Sequence, residues 1–281
     1  MKIHLNSLKV CQIEMLAEET MASLGFATGF FCIYKSQIFL VTNWHVATGR
    51  NFQTKESLHF SGAIPAYFKL SFWYAHNRSN ETVSPQFAII DKFALYNECD
   101  EPIYREHPIF SNKIDVVAIP FGITISGTEN NEIICIDIEK ELEKKDSLEV
   151  MQPLFIVGYP LESTLTPNKF PIYKYGTIAT EPYIYKDSPL FYVDGKTKKG
   201  MSGSQVVYKQ ELKVDIQPNE ITKTEGRIDF IGIYSGRERQ ENTLFEAELG
   251  IVWHYKECLV PILDDYLTKF TALANKTPFY S

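Results

Sequence analysis

Apolar residues fall at helical spacing in one long stretch only. Leu259, Ile262, Leu263, Tyr266, Leu267 and Phe270 share one face and predict an amphipathic helix over residues 257–274. Elsewhere the apolar residues come in short runs with strand-like bounds: 10–15, 25–34, 38–42, 66–75, 87–96, 114–120, 154–158, 174–178, 191–194, 206–208, 229–234 and 249–255. No regular strand–helix alternation links them, which argues against an α/β hydrolase. The 16 Tyr and 19 Phe favour strands. The chain of 281 residues suffices for one large all-β unit or two modest domains. Residues 66–75 and 87–96, joined by the turn chemistry of Asn77-Arg78-Ser79-Asn80, read as a long hairpin reaching beyond the compact part. Residues 121–146 read as a bridge between halves, and the charge run 139–145 as a solvated face.

Within this pattern stands Lys199-Gly200-Met201-Ser202-Gly203-Ser204. Flanking glycines allow a serine to sit on a sharp turn. Such a turn exposes the hydroxyl and can aim the N–H groups of Gly200 and Ser202 at one point, where an oxyanion would form. Ser204 is a rival nucleophile, but the glycine pattern favours Ser202. Upstream, Thr42-Asn43-Trp44-His45-Val46 closes the apolar run 38–41, which places His45 near a strand end. The alternative is a strand-end histidine satisfied by backbone. Ile114-Asp115-Val116-Val117 sets an acid at the head of another apolar run; Asp91 is its rival.

These residues, with Ala27-Thr28-Gly29-Phe30, Gly158-Tyr159-Pro160 and Lys174-Tyr175-Gly176-Thr177, resemble the trypsin-like serine peptidases. Among those they resemble the bacterial HtrA-like branch, here without a PDZ domain. The resemblance implies an all-β fold of two six-stranded-type antiparallel β-barrels with a C-terminal α-helix. Residues 1–140 would carry His45 and Asp115, and residues 141–281 would carry Ser202. It also implies a serine endopeptidase whose catalytic residues are His45, Asp115 and Ser202, with an oxyanion hole at Gly200 and Ser202. By the same resemblance the substrate pocket is set by Lys196 and by the strand carrying Ser235 and Arg237. Lys196, Lys198, Lys199 and Arg237 would then attract an acidic side chain before the cut; the alternative is a set of solvated loop lysines. Met201 stands where many relatives carry an aspartate, so activation by a freed N-terminal amine is not expected. A scaffold that binds proteins without turnover is the competing reading.

The net charge of −7 argues against a general nucleic-acid binder. Met1-Lys2-Ile3-His4-Leu5-Asn6 lacks the apolar stretch of a signal peptide, and no run approaches a membrane span. Five cysteines without a C-x-x-C pair read as free thiols in a reducing cytoplasm. Neither a metal nor another cofactor is expected. The expected partners are a protein or peptide substrate and a regulatory protein that restrains the peptidase.

Overall fold

A computed structural model describes residues 3–76, 84–122, 131–144, 148–160, 169–183, 189–210, 213–217, 220–224, 226–237 and 249–274, without the side chains of 213–224, 237 and 271–274. The first half opens with an antiparallel meander: β1 (Val10–Leu16), β2 (Ser23–Tyr34) and β3 (Gln37–Thr42). The β2–β3 turn is Lys35-Ser36, both at positive φ (47° and 68°), a twist that suits a two-residue hairpin. Then come α1 (Trp44–Thr48), β4 (Tyr67–His76), β5 (Ser84–Ala94), β6 (Val117–Pro120), and the two-residue strands β7 (Asn131–Glu132) and β8 (Ile136–Asp137). The sheet runs β5-β4-β1-β2-β3-β6, with β7 on β4 and β8 parallel to β2.

The expected hairpin exists as β4–β5, but it does not stand out from the sheet. β4 pairs along β1 from Cys11 against Phe72 to Leu16 against Tyr67. Phe68, Leu70 and Phe72 are fully buried at alternate positions, the period of a strand with one face on a core. That face is what draws the hairpin in.

The second half follows α2 (Ile138–Leu142) with β9 (Pro153–Gly158), β10 (Ile172–Ile178), β11 (Leu190–Asp194) and β12 (Gln205–Lys209). A hairpin of β13 (Lys213–Gln217) and β14 (Glu220–Thr224) precedes β15 (Ile228–Arg237) and β16 (Leu249–His254). Six of these strands close into a barrel, β10-β11-β16-β15-β12-β9. The charge run is a solvated face only in part: Glu139, Lys140 and Glu143 are exposed, whereas Glu141 and Lys144 are half-buried. Glu141 Oε2 accepts the Phe230 N–H at 3.0 Å, and Lys144 Nζ pairs with Glu141 at 2.7 Å and with Asp229 at 3.0 Å. The run therefore fastens the bridge to the barrel.

The two halves share one core. Val10, Phe30, Val157, Phe230, Trp253 and Ile262 belong to it, and the Phe30 and Phe230 rings meet edge-on at 5.2 Å. Each such side chain contributes about 1.5–3 kcal/mol by leaving water. The terminal helix arrives as two pieces, α3 (Tyr255–Cys258) and α4 (Val260–Ala274). Pro261 falls in the first turn of α4, where a missing N–H costs least, and it disfavours helical angles just before it. Asp264 ties α4 to the β2–β3 turn, accepting from Tyr34 at 2.9 Å and Lys35 at 2.8 Å. Among the described residues no helix is long and apolar enough to cross a membrane.

Candidate active site

His45 lies in the first turn of α1, just past the end of β3. The helix is short because Gly49 closes it at φ 67°, its N–H returning to the His45 carbonyl at 2.9 Å. Asn43 is the helix's N-cap residue, yet its side chain does not cap it. Instead Asn43 Nδ2 donates to the Asp115 carbonyl at 2.7 Å. The capping falls to Asp115 itself, whose Oδ1 accepts the His45 N–H at 2.8 Å. A carboxylate at the N-terminal end of a helix is favoured by the exposed N–H groups there.

Asp115 Oδ2 stands 2.6 Å from His45 Nδ1 and also accepts from Ser235 Oγ. The Asp115 side chain has no exposed surface. A buried carboxylate persists only when its oxygens are satisfied, and three donors do so here. An ionised carboxylate only accepts, so a neutral imidazole paired with it carries its proton on Nδ1 and offers the Nε2 lone pair. Asp91, the rival acid, is an exposed residue paired with Lys69 at 3.2 Å.

Ser202 lies on the loop between β11 and β12, and the loop is clamped from the first half. The Thr28 N–H donates to the Ser202 carbonyl at 2.8 Å, and Thr28 Oγ1 donates to the Gly200 carbonyl at 2.8 Å. Thr28 Oγ1 in turn accepts the Tyr159 N–H at 2.9 Å. Gly203 has φ +82°, and a Cβ there would lie 2.0 Å from the Thr28 carbonyl oxygen, so only glycine fits. Gly200 also takes a left-handed angle, φ 93°. Among the described residues the N–H groups of Gly200 and Ser202 donate to nothing. Ser204, the rival nucleophile, is fully buried, its N–H bonded to the Met201 carbonyl at 3.1 Å. Met201 is fully buried in the core of the barrel.

His45 and Ser202 line the same cleft, of about 60 Å³. No hydrogen bond joins them among the described residues. Hydrogen bonds of this kind are often long or misaligned before a substrate binds.

No protein-family model matches the chain, and no curated protein matches it. Solved structures resemble it only weakly. A Ser-to-Ala variant of Rv3671c from M. tuberculosis, in an inactive form, aligns at TM-score 0.41 and 14% identity, covering 97% of this chain and 90% of that one. A thermostable serine protease, AL20, from an extremophilic microorganism aligns at TM-score 0.46 and 12% identity, covering 90% and 93%. The Rv3671c protease, inactive form, gives 0.39 and 14%, covering 92% and 89%. Likeness at this level says nothing about what the site does.

The remaining sequence candidates fall around the same loop. Lys196, Lys198 and Lys199 are exposed. Thr197 between them is buried against the Tyr234 hydroxyl. Ser235 turns its hydroxyl to Asp115, while Arg237 is the last residue of β15 and its side chain lies outside the described residues. Two contributors had no signal of their own. Thr28 and Asn43 occur inside quoted motifs, but nothing local tells that one holds the serine loop and the other holds Asp115.

Proposed function

We propose that the chain is a trypsin-like serine endopeptidase that cuts peptide bonds through Ser202, His45 and Asp115 and an acyl-enzyme intermediate. One observation carries the reading: a histidine fixed by a fully buried aspartate shares a cleft with a serine on a turn whose Gly200 and Ser202 N–H groups have no partner among the described residues. A serine hydroxyl is a weak nucleophile at neutral pH. His45 Nε2 takes its proton as Ser202 Oγ attacks the carbonyl. The oxyanion forms toward the N–H groups of Gly200 and Ser202, where losing one donor costs about 3 kcal/mol of barrier. His45 then passes its proton to the leaving amine, and water repeats the sequence to free Ser202. Asp115 keeps the imidazole in the required tautomer and favours the imidazolium that forms. The substrate is a protein or peptide, and a regulatory partner in a cytoplasmic setting belongs to the same reading.

The absence of a bond between His45 and Ser202 Oγ favours a second reading, a binding module without turnover. A fluorophosphonate separates the two. The peptidase labels on one residue, Ser202, and Ser202→Ala does not label. A module without turnover leaves the wild type unlabelled as well.

A further inference from the structure

We infer that the cleft beside His45 is a binding site for an apolar side chain on the leaving side of the cut, the first residue after the scissile bond. This rests on the peptidase reading above and names the substrate class for that site.

Chemistry decides which side the cleft serves. The acyl half stays on Ser202, whereas the leaving amine must collect its proton from His45, so it departs across the imidazole. The cleft lies on that side. Beyond His45 and Ser202 its walls are Val46 of α1, Gly49 just past the end of α1, the β1–β2 hairpin and the loop 58–65. None of its lining comes from 190–200 or from the end of β15. There, a Cβ on Gly236 would stand 3.7 Å from Ser202 Oγ on another side. Gly236 therefore borders Ser202 Oγ outside the cleft, which leaves that side for the acyl half and the cleft for the other half.

The walls decide what the cleft accepts. Met15, Leu24, Phe26, Leu58 and Pro65 contribute aliphatic or aromatic surface, and no carboxylate, ammonium or guanidinium lines it. The rim continues the theme. Leu58 is 55% exposed and Phe60 97% exposed, with Ile64 exposed beside them. An apolar rim contiguous with a reactive cleft is the kind of exposed patch that marks a binding site. The polar lining is Ser202 and the imidazoles of His45 and His59, so a charged side chain would give up its hydration there with no carboxylate, ammonium or guanidinium to replace it, and the walls discriminate by rejection as well as by attraction.

Acyl transfer to added amines reads this site without involving the acyl side. The whole chain is acylated with a nitrophenyl ester of a short acid, and amino-acid amides then compete with water. In each capture the bond from Ser202 Oγ to the acyl carbon breaks and an amide C–N bond forms. The amine's proton passes through His45 to Ser202 Oγ. Product masses give the partition. Leucinamide and phenylalaninamide should capture about tenfold better than aspartamide or lysinamide, the scale of apolar pocket discrimination. Leu58→Asp, on the surface, and Leu24→Asp, in the wall, should each flatten that ranking. Capture that ignores the side chain, or that favours a charged amide, overturns the inference while leaving the peptidase reading standing. Failure to form any acyl-enzyme removes both.

Discussion

Thr28 Oγ1 donates to the Gly200 carbonyl at 2.8 Å across 172 residues of sequence. With its own N–H on the Ser202 carbonyl, Thr28 grips the serine loop at two points. Thr28 is fully buried, so the grip is unscreened by water. The turn that carries the Gly200 and Ser202 N–H groups, unpaired among the described residues, is thus held by a residue of the other half.

Replacing Thr28 with Val keeps its shape and removes the hydroxyl. The Gly200 carbonyl and Tyr159 N–H are then left buried and unpaired, at about 1–3 kcal/mol each. Thr28→Val should label with fluorophosphonate at least about tenfold more slowly and melt earlier, whereas Thr28→Ser should recover most of the labelling rate. A Val variant that labels like wild type would contradict the grip.

Ser235 is one of three donors on Asp115. Removing a hydrogen bond to a charged group costs about 1.5–3 kcal/mol, so Ser235→Ala should lower kcat/KM by about ten- to a hundredfold. Asp115→Asn should lower it by about 10⁴, since the amide favours the wrong tautomer. Peptide hydrolysis by the purified variants, ranked in that order, is the check.

His107 predicts a stability that falls with acid. It is buried, its Nδ1 accepts from Ile109 and Phe110 at 3.2 and 3.1 Å, and its Nε2 donates to the Glu257 carbonyl at 3.1 Å. Burial holds its pKa below the usual value, against a smaller upward pull from that carbonyl. The unfolded chain therefore binds the proton more readily, and stability rises with pH through this window and is lost as pH falls below about 6.5. His4 is shifted the same way by burial, then by Lys9 and Lys209. Urea midpoints measured from pH 7.5 to 5 should fall, with a smaller slope in His107→Gln. One proton is worth about 1.4 kcal/mol per pH unit.

All five thiols are free. Cys11, Cys32 and Cys258 are buried, and burial pushes the Cys135 thiol up to about 12. Cys99 alone is exposed. Intact mass after brief iodoacetamide treatment at neutral pH should show one adduct, lost in Cys99→Ser, and five adducts after denaturation. Early labelling at Cys32 would contradict the packing.

What the sequence determined by itself was local. Short apolar runs rich in Tyr and Phe pointed to the strands, because such side chains pack well on a pleated sheet surface. Gly203 marked its turn because no other residue tolerates such angles at so little cost. His45, Asp115 and Ser202 each stood out within a short string, yet a string carries no distance. The tertiary structure decided the rest. It put Asp115 under His45, buried Ser204, exposed Asp91, drew the β4–β5 hairpin into the sheet and joined Lys144 to Asp229 across the bridge. It also turned Thr28 into the clamp of a loop that begins far downstream. In each case the partner lies tens of residues away or more, and only the closing of two β layers on a common core fixes which groups meet.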